Sequence, residues 1–111
     1  MWRVHTLNET VDREFEQLPP EMQARFLWTA DLIQQYGLPN VGMPYVRHVH
    51  GDIWEIRISG KNKIGRGLYV ALKGQRVVVL RFFIKKAQRT PQKEIRTAQQ
   101  RMGLIDYDQL G

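Results

Sequence analysis

The sequence predicts an α+β domain with the order β-α-α-β-β-β-β-α. Its parts are a small, mostly antiparallel twisted sheet, an N-terminal α-hairpin packed on one face, and a C-terminal helix. Three observations predict it. Residues 8–37 carry apolar side chains at helical spacing, residues 45–84 switch to two-residue alternation cut by glycine-containing turns, and Thr90-Pro91 restarts a helical pattern. At 111 residues there is room for one hydrophobic core, so 1–111 is expected to be a single domain with 104–111 as an acidic C-terminal tail.

Trp2 to His5 reads as a short strand. Asn8 is a natural N-cap, and Val11, Phe15 and Leu18 form one apolar stripe behind it. Pro19-Pro20 interrupts that helix, and Pro20 suits the first position of the next, with Glu21 at the positive end of its dipole. Met22, Phe26, Ala30 and Ile33 are its buried face; Gly37 and Pro39 stop it, and Asn40 to Pro44 is a loop. Neither stripe is buried by the hairpin alone, so the pair needs a sheet beneath it.

Tyr45 to His50 is the next strand, closed by Gly51-Asp52. From Ile53 to Ser59 the chain alternates, with Trp54, Ile56 and Ile58 on one face and Glu55 and Arg57 on the other. After the polar turn 60–63, Ile64 to Leu72 forms a strand, and Lys73-Gly74-Gln75 links it to Arg76–Ile84. That last strand is apolar on both faces, as an interior strand should be: Val78, Leu80, Phe82 and Ile84 against Val77, Val79, Arg81 and Phe83. Thr90 as cap and Pro91 at the first position open the final helix; Ile95, Ala98 and Met102 are its stripe and Gly103 its stop.

Apolar residues at 42 % and charged residues at 25 % are a globular balance rather than a disordered one. The absence of cysteine excludes a disulfide framework, a zinc ribbon and a thiol nucleophile. No apolar run approaches the ~20 residues of a membrane span, and Met1-Trp2-Arg3-Val4-His5 has no signal-peptide character, so a cytoplasmic protein is expected. The net charge of +6 is unevenly placed. Residues 1–44 carry −3 (Arg3, Arg13 and Arg25 against six acids), while residues 45–101 carry +11, with 14 Lys or Arg against Asp52, Glu55 and Glu94. Charge of that density inside strands points to a polyanion, because each phosphate contact releases condensed counterions.

Gly65-Arg66-Gly67 is no phosphate loop, since a third glycine and a following helix are missing. His48 and His50, two apart on one strand, are expected to share a face, but no third metal ligand is near in sequence, so chemistry without metal or bound cofactor is expected. Glu55, Arg57, Arg66, Arg81 and Lys85-Lys86 come from successive strands and are able to converge, with Tyr69 and Phe83 offering aromatic surface for unstacked bases. Arg66 alternates with Leu68, Val70 and Leu72, which turns it toward an apolar face unless Gly65 or Gly67 marks a bulge.

Gly51-Asp52-Ile53-Trp54-Glu55-Ile56-Arg57, Arg66-Gly67-Leu68-Tyr69-Val70, Phe83-Ile84-Lys85-Lys86, and Thr90-Pro91 with Glu94-Ile95 and Ala98 together resemble the phage-derived HigB-like toxins of the RelE/ParE superfamily. The resemblance runs from about Tyr45 to Met102, and the preceding hairpin fits the RelE-like order. Two departures stand out: glycines flank Arg66 where the family has an aromatic and a bulky apolar residue, and Arg81-Phe82-Phe83 replaces a His-Gly-Phe-like stretch. The resemblance implies the toxin of a toxin–antitoxin pair, an mRNA endoribonuclease commonly acting on the ribosome and held by a helix-turn-helix, HigA-like antitoxin. The other readings are a ParE-like gyrase poison without enzymatic activity and a plain nucleic-acid-binding module. For the nuclease, Arg57, Arg66, Glu55, His50 and Lys85 are the catalytic candidates, with His48 behind as a base. Arg81, Lys86, Tyr69, Phe83 and Arg47 are the RNA-binding candidates.

Overall fold

Asn8 begins the helical hairpin as its side chain suggests, its Oδ1 accepting the Val11 N–H at 3.2 Å. Helix α1 (Glu9–Glu16) follows, and Pro20 takes the first position of α2 (Pro20–Tyr36), which Gly37 ends at φ +87°. A computed structural model describes residues 1–86 and 89–106; most of the expected acidic tail, from 107 on, lies outside the described residues. The strands are β1 (Arg3–Thr6), β2 (Val46–His50), β3 (Ile53–Gly60), β4 (Lys63–Leu72) and β5 (Arg76–Lys85), and α3 (Gln92–Met102) closes the described chain. They form one sheet in the order β1-β5-β4-β3-β2, with β1 parallel to β5 and every other pair antiparallel. Among the described residues no helix is long and apolar enough to cross a membrane.

The hairpin covers one face of this sheet and α3 the other. Under the hairpin, Met22, Phe26 and Ile33 pack on Ile56, Ile58, Tyr69, Val77, Val79 and Phe82. Phe15, Phe26 and Phe82 meet there with centroids 4.9–5.5 Å apart. Under α3, Ile95 and Ala98 pack on Leu68, Val70, Val78, Leu80 and Phe83. The expected faces of β5 are corrected at this point. Leu68 pairs with Arg81 and Tyr69 with Val79, so Leu80 is an extra residue in a bulge. The bulge resets the alternation, and Phe82 joins Val77 and Val79 rather than Val78 and Leu80.

The bulge also places Arg81 where β5 has run past the end of β1. Arg81 bonds Glu14 of α1 at 2.6 Å and Glu94 of α3 at 3.1 Å, while Arg101 bonds Glu14 at 2.8 Å and donates to the Leu80 carbonyl at 2.7 Å. Glu14 further accepts the Phe82 N–H at 3.2 Å, so one carboxylate finishes the open strand edge and ties both helical layers to it. Burial raises the Glu14 pKa, but the hydrogen bonds from Arg101 and Phe82 and the Arg81 charge outweigh it, and the net shift is downward. A lowered folded-state pKa stabilises the fold above the ordinary carboxylate value and loses that contribution as pH falls through the folded pKa. Glu14→Gln is therefore expected to cost about 2 kcal/mol at neutral pH. It should also flatten the acid limb of a urea-stability profile, and a variant with the wild-type limb would contradict the latch.

Candidate active site

Register decides which side chains meet. Arg57 pairs with Arg66, Glu55 with Leu68 and with Arg47, and Arg66 with Phe83. Directly paired residues share a face, and Leu68 and Phe83 lie under α3, so Arg47, Glu55, Arg57 and Arg66 all project on that side. Lys85 follows two residues after Phe83 on the same strand face. The helix does not cover this end of the sheet, and a cavity of about 220 Å³ opens there, lined among others by Arg47, Glu55, Lys85, Arg89 and Thr90.

The alternation of Arg66 with Leu68 and Val70 therefore holds without a bulge at Gly65 or Gly67: the face is apolar under α3 and becomes polar beyond it. The two glycines face the hairpin instead. A Cβ on Gly65 would lie 2.5 Å from Met22 Cε, and one on Gly67 3.1 Å from the Phe82 ring. Their absence of side chain lets α2 close on the sheet directly behind the site.

Glu55 is 1 % exposed and Arg66 2 %, with Arg66 Nε 3.2 Å from Glu55 Oε2. The Nε–H is not aimed at that oxygen, so the contact is one of charge, while Arg66 Nη1 donates to the Gly65 carbonyl at 2.8 Å. Thr90 Oγ1 donates to Glu55 Oε2 at 2.8 Å. This corrects the expected helix start: Pro91 stands at the N-cap with no side-chain cap bond, and the Thr90 hydroxyl is given to the site instead. Its reading as a cap concealed its role, although a hydroxyl two residues before α3 is well placed for either use.

Arg47 is exposed, Arg57 half-buried and Lys85 buried, and among the described residues none of the three has a carboxylate within ion-pair distance. Burial, with the cations Arg66, Arg47 and Arg57, lowers the Lys85 pKa against the opposing pull of Glu55. Burial also lowers that of Arg66, helped by Arg57 and Arg47 and opposed by Glu55; its guanidinium stays charged. Among the described residues the site thus holds one buried carboxylate among five cations, Arg47, Arg57, Arg66, Lys85 and Arg89. Among the described residues no group of three His, Asp or Glu stands close enough together to hold a metal ion.

Four sequence candidates fall elsewhere. Arg81 is consumed by Glu14 and Glu94. Tyr69 is buried on the hairpin face, where desolvation pushes its phenol pKa up, and Phe83 is buried under α3, so neither ring offers a face to a base. His50 is exposed at the end of β2 and does not line the cavity. A bulge at Val49 pairs His48 with Trp54 and His50 with Ile53, so the two histidines do not share a face as expected. His48 packs its ring on Trp54 at 5.2 Å and hydrogen-bonds the Gly51 carbonyl at 2.8 Å, although it borders the cavity. Lys86 is exposed one residue beyond Lys85.

The chain is a small basic α+β protein with a RelE-like fold. The fold matches a chain of the archaeal RelE–RelB complex from Pyrococcus horikoshii OT3 with a TM-score of 0.51 at 22 % identity, over 73 % of this chain and 91 % of that one. Residues 13–103 match the family described as phage-derived protein Gp49-like, and the chain belongs to that family. It is also 33 % identical over 86 residues to the probable endoribonuclease HigB1 of Mycobacterium tuberculosis, in strains CDC 1551 / Oshkosh and ATCC 25618 / H37Rv. That match covers 78 % of this chain and 66 % of the relative, so the chain spans about two thirds of the length of these curated relatives.

Proposed function

We propose that this protein is the toxin of a toxin–antitoxin pair and a metal-independent endoribonuclease that cuts mRNA. The observation that carries the reading is the buried Glu55 carboxylate, which shares a cavity wall with Lys85 and Arg47 and has Arg57 and Arg66 alongside. In RNA cleavage the 2′-oxygen forms a bond to the adjacent phosphorus as the P–O5′ bond breaks, leaving a 2′,3′-cyclic phosphate and a 5′-hydroxyl. Glu55 takes the 2′-hydroxyl proton and Lys85 gives one to the departing 5′-oxygen. Arg57 and Arg47 bear the charge that grows on the phosphoryl oxygens. Arg66 and Thr90 hold Glu55 in place. Likeness to HigB1 supports RNA as the substrate, and likeness to the RelE–RelB complex supports an antitoxin as the partner, in our reading a HigA-like helix-turn-helix protein. The message is oriented by the ribosome, because the cleft has few aromatic surfaces of its own.

Mapped mRNA ends after expression, and cleavage of a labelled message by the purified protein with and without ribosomes, test the reading. Cuts that depend on ribosomes and leave a 2′,3′-cyclic phosphate are expected, as is slow cleavage of the free message that persists in EDTA. For the free RNA, about four phosphate contacts give a log–log salt slope of roughly −3. Growth arrest with DNA-damage signalling and intact mRNA would establish the gyrase poison instead, and no toxicity at all the plain binding module.

Lys85 gives a signed pH test. A lysine whose folded pKa is lowered binds fewer protons than the unfolded chain between that value and its ordinary one, so stability rises with pH across this window. Cleavage should fall across the same window as the proton donor is lost. Lys85→Met should abolish both limbs and stabilise the fold at neutral pH; parallel rather than opposed limbs would remove Lys85 as the acid.

A further inference from the structure

We infer that the groove between β1, α1 and α2, on the sheet face opposite the Glu55 cavity, is where the antitoxin docks, and that it takes an amphipathic helix with lysine or arginine flanking an apolar stripe. The inference rests on the toxin–antitoxin reading and deepens it by naming the surface and the chemistry of the partner. The groove encloses about 780 Å³, more than three times the Glu55 cavity. Its floor is apolar, with Phe15 from α1 and Phe26, Leu27 and Ala30 from α2, and Leu27 is 57 % exposed. Its rim is acidic: Asp12, Glu16 and Asp31 border it, and none of the residues lining it is Lys or Arg, in a chain of net charge +6. An apolar floor with an anionic rim complements a cationic amphipathic segment and repels nucleic acid, so the two faces select different partners.

The lining fixes the shape of that segment. Leu27, Ala30, Asp31 and Gln34 recur at i, i+3, i+4 and i+7 on α2, and Asp12, Phe15 and Glu16 at i, i+3 and i+4 on α1, so the groove runs between two helix faces. Strand addition is disfavoured at its β1 wall. Arg3 and Leu7 give their N–H groups to Gln75 and Val79 carbonyls, so the Val4 N–H points away from β5, and Gln34 Oε1 already accepts it at 3.2 Å.

The experiment titrates the purified protein encoded by the neighbouring reading frame into toxin variants by calorimetry. Leu27→Asp and the exposed-rim double variant Glu16→Lys/Asp31→Lys carry the groove test, and Arg47→Glu carries the cleft. Groove variants are expected to lose at least tenfold in affinity while keeping wild-type melting and wild-type RNA cleavage when alone, and Arg47→Glu is expected to keep its affinity. Groove variants that bind as wild type overturn the assignment, as does a loss confined to Arg47→Glu, which would place the partner over the cleft. Light scattering that shows the toxin alone to be a dimer, made monomeric by the rim variant, would assign the groove to a second copy. A wild-type toxin that binds no such protein would overturn both this inference and the toxin–antitoxin reading, whereas equal binding by wild type and groove variants overturns the groove alone.

Discussion

Arg57→Ala is expected to lower single-turnover mRNA cleavage about 100-fold or more, with RNA affinity changed far less and melting temperature preserved. Arg57 leaves β3 on the face that carries Glu55 and stands opposite Arg66 in the ladder. Among the described residues it has no carboxylate within ion-pair distance, and its charge works against its neighbours, helping to lower the pKa of both Arg66 and Lys85. A half-buried cation with no carboxylate at ion-pair distance among the described residues is well placed to meet negative charge arriving from outside, and phosphoryl oxygens supply most of that charge in the transition state. Its removal should leave the fold intact or slightly firmer. It should also move the alkaline limb of cleavage to higher pH, because Lys85 loses a repelling neighbour. Near-normal turnover by the folded variant would sink the assignment.

Much of this was readable in the sequence, and what was not has local causes. Periodicity located the elements because both faces of the sheet are covered and the apolar residues had to follow the pleat. The bulge at Leu80 was not readable, since a run of seven apolar residues broken only by Arg81 fits either alternation. That one residue decides whether Arg81 enters the site or, as found, faces Glu14 and Glu94. The convergence of Glu55, Arg57, Arg66 and Lys85 was legible because parity and hairpin order nearly determine register, whereas Arg47 was named only as an RNA-binding candidate and its place opposite Glu55 came from the fold. Thr90 was not, because a threonine before a proline carries the same signature whether it caps a helix or reaches across to a strand. The departures at Gly65 and Gly67 were legible as departures only; their cause, the approach of Met22 and Phe82 from behind, is tertiary.

The roles of the two paired arginines separate most sharply at Arg66. The sequence sets Arg66 beside Arg57 among the catalytic candidates. In the fold it is 2 % exposed, its Nη1 donates to the Gly65 carbonyl, and its Nε lies 3.2 Å from the carboxylate of Glu55, itself 1 % exposed, surroundings that suit the positioning role proposed above. A charge pair this deep gives little net stability as a pair, but losing one partner strands the other. Arg66→Met is therefore expected to cost about 3–5 kcal/mol in urea unfolding, the order expected when a buried carboxylate loses its paired cation. Glu55→Gln/Arg66→Met should recover most of that loss, since a neutral amide still accepts from Thr90 and neither member of the pair is left charged. Neither variant should cleave RNA efficiently, because the first misplaces the base and the second removes it. The cycle thus sets Arg66 apart from Arg57, whose removal costs activity without stability. If Arg66→Met proves as stable as wild type while cleavage falls as steeply as in Arg57→Ala, Arg66 contacts the phosphate directly and the positioning role is wrong.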